Sequence, residues 1–107
     1  LIRLAPNGDL LWWQHDGTPA NDRVMMSAPT GDGYVSVGFS WTSSDTDIAV
    51  WESDTDGSVR AHTVFPRPGS DRGVMVLVAG SGEYLLAGTV GRTRSRAGDF
   101  AVLTLER

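Results

Sequence analysis

The sequence contains no cysteine and no lysine. Without cysteine there are no disulfides and no thiolate metal sites, and no redox compartment can be read. Without lysine all nine basic residues are arginine, a skew we assign to coding bias rather than to guanidinium chemistry. Positive charge is scarce overall. Thirteen acidic residues leave a net charge of −4, which argues against a general nucleic-acid binder. No apolar run approaches the ~20 residues of a membrane-spanning helix. No basic stretch followed by an apolar core and a cleavage site marks a signal peptide. No long segment keeps a helical apolar period, so almost no helix is expected.

The 107 residues make one small domain or a piece of a larger one. Apolar residues at 40% and charged residues at 21% are ordinary for a globular chain. Thirteen Gly and five Pro fit many tight turns. The opening at Leu1 and the closing stretch Asp99 to Leu105 are both strand-like. That reads as excision from something longer. The alternative is a complete small domain whose terminal strands pair.

An internal repeat organises the chain. At an offset of 49, Gly8 falls on Gly57, Asp22-Arg23 on Asp71-Arg72, Met26 on Met75, and Gly31 and Gly33 on Gly80 and Gly82. The extra residue Glu83 moves the offset to 50, where Tyr34 meets Tyr84 and Gly38 meets Gly88. A longer loop moves it to 52, where Asp47, Ala49 and Val50 meet Asp99, Ala101 and Val102. Each copy reads as four short strands. The first copy gives Leu1–Ala5, Asp9–His15, Arg23–Ala28 and Gly33–Ser40. The second gives Asp47–Ser53, Ser58–Val64, Gly73–Ala79 and Glu83–Val90. A ninth strand covers Asp99–Glu106.

Asn7-Gly8 and Asp56-Gly57 favour positive φ and so favour hairpins. Gly31-Asp32-Gly33 and Gly80-Ser81-Gly82 punctuate two more. From Tyr34 to Ser40, Val35, Val37 and Phe39 share one strand face, and Tyr34, Ser36, Gly38 and Ser40 share the other. Five consecutive apolar residues, Val74 to Val78, read as a strand covered on both faces. Gly38 and Gly88, inside strands, mark a bulge or a close backbone approach.

Four-stranded units of this length suggest propeller blades. The expected fold is all-β, with two four-stranded antiparallel propeller-type blades plus the first strand of a third. The units are residues 1–46, 47–98 and 99–107. A blade is apolar on both faces and needs a neighbour on each side, and two blades leave two outer faces open. A toroid needs at least about four blades. The expected partners are therefore neighbouring blades of the same parent protein or other copies of this chain.

The stretch Leu1 to Trp12 resembles the hairpin of bacterial tandem-repeat β-propeller proteins, which runs as an apolar strand, Asp-x-x-Gly, a short apolar pair and Trp. Asp22-Arg23 followed by Thr30 to Gly38 is similar to the later part of the same unit. There an acidic residue opens the third strand and an Asp-Gly-Gly-Tyr-type motif closes the unit. Asp99 to Leu105 resembles the first strand of related repeats beginning Asp-Phe-Ala. The second copy departs from the pattern: Ala61 stands where Trp12 does, and Phe65 to Gly69 replaces a Gly-rich stretch. The resemblance implies an extracytoplasmic, secreted or cell-surface binding or scaffolding role, and it transfers no catalytic residue.

Few constellations point to chemistry. Asp54 and Asp56 precede Gly57 at the alternating spacing that opens a calcium loop, but Thr63 stands where the closing bidentate acid belongs. Hairpin-turn chemistry is the competing reading of both, because the aligned stretch Arg3–Gly8 is a plain turn. Trp13 and Trp41, among four Trp, are candidates for a sugar or peptide platform, against plain packing between sheets. Adjacent Trp12 and Trp13 must point to opposite faces. Arg92, Arg94 and Arg96 are candidates for an anion or for the acidic loop Ser43 to Asp47 of a neighbouring unit, against a merely solvated loop. His15 and His62 lack the spacing of a metal pair or dyad. No Gly-x-Ser-x-Gly elbow or phosphate-cradling loop occurs.

The sequence therefore leads to an expected non-enzymatic module, without a cofactor, that binds a protein or glycan ligand or acts as a scaffold. It is expected to bind no nucleic acid and to have no membrane span. One alternative is a structural unit completing a ring from several copies. Another is a fragment of a propeller enzyme whose site lies mostly outside this chain.

Overall fold

The computed structural model describes residues 1–17, 21–42, 44–80 and 82–106. The described chain forms nine strands: β1 (Ile2–Leu4), β2 (Leu10–Trp13), β3 (Asp22–Thr30), β4 (Gly33–Thr42), β5 (Asp45–Asp54), β6 (Val59–Phe65), β7 (Ser70–Val78), β8 (Glu83–Arg92) and β9 (Asp99–Glu106). All pairing is antiparallel, and no helix occurs among the described residues. Every expected strand is present, with ends within three residues of those read from the sequence.

The grouping into sheets differs from the expected one. β1 and β2 form a two-stranded hairpin, β3 to β6 a four-stranded middle sheet, and β7 to β9 a three-stranded third sheet. The middle sheet therefore straddles the boundary at residues 46 and 47. The connections explain this. The polar stretch from Gln14 to Asn21 separates β2 from β3, whereas Thr42 pairs directly with Asp45 and turns β4 straight back into β5. The segment Ser43 to Asp47 is accordingly no loop between units. Thr46 and Asp47 are buried strand residues, and Ser43 lies outside the described residues, as does Ser81 of the β7–β8 turn.

Strand alternation decides which faces meet. In the middle sheet Val35, Val37, Phe39, Ile48 and Val50 share one face by register. That face packs on Val76, Tyr84, Leu86 and Val90 of the third sheet, which forms the main core. β7 lies against β3, β4 and β5. Apolar area removed from water is worth about 25 cal/mol per Å², so this apolar sheet–sheet contact is a main source of stability. The opposite face carries Tyr34, Ser36, Gly38 and Trp51 and looks toward the β1–β2 hairpin. The contact there is lighter: the Trp12 ring meets the Tyr34 ring edge-on at 5.9 Å between centroids.

Two local devices recur at the repeat spacing. Register shifts between Val24 and Met26, and again between Gly73 and Met75. Each bulge leaves no room for a side chain on the facing strand. A Cβ on Gly38 would fall on the carbonyl oxygen of Arg23, and one on Gly88 on that of Arg72. Such bulges bend and twist a strand locally. The hairpin turns match equally closely. Gly8 N–H donates to Ala5 O and Ala5 N–H to Asp9 O, while Gly57 N–H donates to Asp54 O and Asp54 N–H to Ser58 O, all at 2.8–2.9 Å. Gly8 and Gly57 both hold positive φ, 93° and 84°.

One sequence expectation is corrected by the packing. Val74 to Val78 is covered on one face only. Val76 points into the core and Val78, on the same face opposite Tyr84, lies at its edge, whereas Met75 and Leu77 are exposed on the other face and Val74 is exposed at the bulge. The third sheet has the middle sheet on one side and none of the described residues on the other.

Candidate functional site

A cleft of about 200 Å³ opens between the β1–β2 hairpin and the small-residue face of the middle sheet. Its lining includes Gln14, His15, Asp22, Arg23, Ser27, Ser36, Trp51 and Ser53. The bulge in β3 and alternation in β4 set Ser27 opposite Ser36, and their hydroxyls bond to each other at 2.6 Å. Ser40 Oγ donates to Asp22 Oδ1 at 2.6 Å, which fixes the carboxylate at the mouth of β3. Trp51 stacks on His62 of the next strand, with centroids 4.8 Å apart and an interplanar angle of 8°. The Nε2 of His62 is buried without a hydrogen-bond partner. The floor is thus hydroxyls and one indole, with charged groups at the rim. Chemically it suits a neutral, hydroxyl-rich or amide-rich group, which can trade hydrogen bonds with Ser27 and Ser36.

The residues singled out in the sequence are scattered. Trp13 lies on β2, largely exposed and stacked on His15 with centroids 5.6 Å apart. Trp41 lies near the end of β4, where its backbone N–H donates to Asn21 O, and its side chain is exposed. Arg92 ends β8 opposite Ser70, and Arg94 and Arg96 sit in the loop before β9. The Arg96 guanidinium pairs with Asp99 at 2.6 Å. The two Trp therefore belong to different sheets, and the Arg cluster belongs to a third.

Asp54 and Asp56 both have partners close to the β5–β6 turn. Asp54 Oδ1 accepts from Arg60 at 3.2 Å, and Arg60 also pairs with Asp32 at 3.1 Å. The Asp32 carboxylate holds the Arg60 guanidinium charged, raising its pKa from the ordinary value. Asp56 Oδ1 accepts the backbone N–H of Ser58 at 3.0 Å, and that hydrogen bond lowers the carboxyl pKa from its ordinary value. Asn7 makes the same bond to the Asp9 N–H at 3.1 Å, so the turn uses either side chain alike. Among the described residues no group of three or more His, Asp and Glu converges as a metal site.

Sequence reasoning missed Ser27 and the role of Asp22 in the cleft. Ser36 was placed on its strand face by alternation, but its partner came from a bulge that no periodicity reveals. The chain matches no protein-family model, no curated protein and no solved structure.

Proposed function

We propose that the chain is a non-enzymatic repeat module of β-propeller type. It binds or scaffolds a protein or glycan ligand within a larger secreted or cell-surface protein of a bacterium. The supporting observation is the recurrence of one unit in one orientation. Tyr34 and Tyr84 stand 50 positions apart, and each faces the sheet that precedes its own. Tyr34 meets Trp12, and Tyr84 donates to Glu52. Stacked sheets that present the same face in the same direction are the arrangement a radial array needs. The cleft with Ser27, Ser36 and Trp51 is the binding surface in this reading.

The test is a glycan and peptide array probed with the chain and with a Ser27→Val variant. Binding that the variant loses supports the module. An array without a single hit counts against the ligand-binding part of the reading.

One observation favours a second reading, a structural unit that joins copies into a ring. Phe100 is 77% exposed on the outer face of the third sheet, whereas Ile48 at the equivalent place in the middle sheet is 2% exposed. Light scattering separates the two. A ring gives a mass of several chains, and a module of the first kind gives one.

A further inference from the structure

Asn7 and Asp56 hold equivalent places in the β1–β2 and β5–β6 turns, but their surroundings differ by one residue. Each accepts the backbone N–H two positions on, from Asp9 at 3.1 Å and from Ser58 at 3.0 Å. Asn7 makes one bond more: its Nδ2 donates to Oδ2 of Asp9 at 3.1 Å. Each residue precedes a glycine of positive φ. Asn7 and Gly8 are exposed, and a Cβ on Gly8 would meet nothing within 4 Å. A glycine after asparagine leaves the peptide nitrogen unshielded, because glycine carries no side chain and turns freely. Asn21, the other asparagine of the chain, precedes Asp22 instead.

We propose that Asn7 is a deamidation site and that its conversion loosens the β1–β2 hairpin. The Gly8 nitrogen gives up its proton to solvent and attacks Cγ of Asn7. The bond from Cγ to Nδ2 breaks, and ammonia leaves with a proton from water. One water then opens the succinimide, leaving aspartate or isoaspartate at position 7. In the folded chain the Gly8 N–H is held by Ala5 O at 2.9 Å, so the attack waits on opening of the turn. The aspartate product keeps the acceptor for the Asp9 N–H, as the Asp56 turn does. It loses the donor to Asp9 Oδ2 and sets two carboxylates side by side in its place. Like charges so close destabilise the turn that holds them. Ser58 spares the second turn that contact. The isoaspartate product adds a backbone carbon to a turn closed by two hydrogen bonds, Gly8 to Ala5 and Ala5 to Asp9. Both products therefore weaken the hairpin, whose open end at Leu1 and Gln14 lines the cleft.

The test is ageing of the intact chain in mildly alkaline buffer, read by mass spectrometry. Trypsin cuts at Arg3 and Arg23, so a single peptide, Leu4 to Arg23, holds both asparagines. Conversion is expected at Asn7 and not at Asn21, and more slowly than in that peptide free in solution. Conversion at Asn21 first, or none at Asn7 while the free peptide converts, would overturn the site. Hydrogen exchange reads the consequence. Asn7→Asp should speed exchange at the Ala5 and Gln14 amides about twofold to fivefold, and adding Asp9→Ser should restore the parent rates. The Val37 and Val50 amides should keep their parent rates, which shows that the variants fold. Unchanged exchange in Asn7→Asp, or faster exchange that Asp9→Ser does not restore, would overturn the loosening. No ligand enters these measurements, so they leave the module reading to the array.

Discussion

The Tyr84 hydroxyl donates a 2.8 Å hydrogen bond to Oε1 of Glu52 across the interface between the third and middle sheets. Tyr84 is buried and belongs to β8, while Glu52 is half-buried on β5. The bond ties the two layers at the rim of the apolar core. It also gives a polar tip to a ring that is otherwise a packing element. Replacing Tyr84 by Phe keeps the ring and removes the bond. Urea unfolding should show a loss of about 1 kcal/mol. An unchanged midpoint would mean that water replaces the tyrosine at no net loss.

The two bulges set a sharper requirement. Gly38→Ala and Gly88→Ala each force a methyl onto a backbone carbonyl oxygen, which cannot move without opening the β3–β4 or β7–β8 ladder. Each should destabilise by about 3 kcal/mol or more. Gly31→Ala and Gly80→Ala meet no atom within 4 Å and serve as controls, expected within about 0.5 kcal/mol of the parent. Thermal and urea denaturation of the four variants reads both outcomes.

These positions show how much of the structure the sequence carried. The repeat offset paired Gly38 with Gly88, and strand periodicity required a reason for a glycine there. The hairpin turns at Gly8 and Gly57 were legible because Asn-Gly and Asp-Gly encode positive φ directly. The sheet boundaries were not legible. Strand patterns mark strands but not their partners, and the choice between β2–β3 and β4–β5 pairing lay in connection lengths. The Ser27–Ser36 pair in the cleft was hidden for a related reason, since a bulge shifts register by a residue that alternation alone cannot count.

Repeat-equivalent valines should behave differently. Val50 is 2% exposed against the third sheet, and Val102 is 58% exposed on that sheet's outer face. Val50→Ala should cost about 2 kcal/mol from lost burial and a residual cavity, and Val102→Ala under about 0.5 kcal/mol. Equal losses, read by urea unfolding, would show that the outer face is covered in solution.

The pH response of the β5–β6 turn follows from Asp56. Its carboxylate is hydrogen-bonded by the Ser58 N–H, and its folded pKa lies below the ordinary 3.8. A depressed pKa contributes stability that is present above the unfolded value and is lost as pH falls through the folded one. Asp56→Asn keeps the acceptor oxygen, as Asn7 does in the first turn, and removes the titration. The stability difference between parent and variant should therefore be flat from pH 7 to about 5 and should move toward the variant below about pH 4. Urea midpoints measured across that range check it.

The stacking of the third sheet on the middle sheet supports the whole account, and Gly73 reports on it most directly. A Cβ there would collide with Cγ2 of Val37 on the facing sheet, so the Gly73 α-protons lie against the Val37 methyls. A carbon-edited NOE spectrum of the labelled chain should show cross-peaks from Gly73 Hα to the methyls of Val37 and Ile48. Absence of those cross-peaks, with the strand-to-strand contacts within each sheet intact, would mean that the sheets do not stack and would contradict the repeat-module reading.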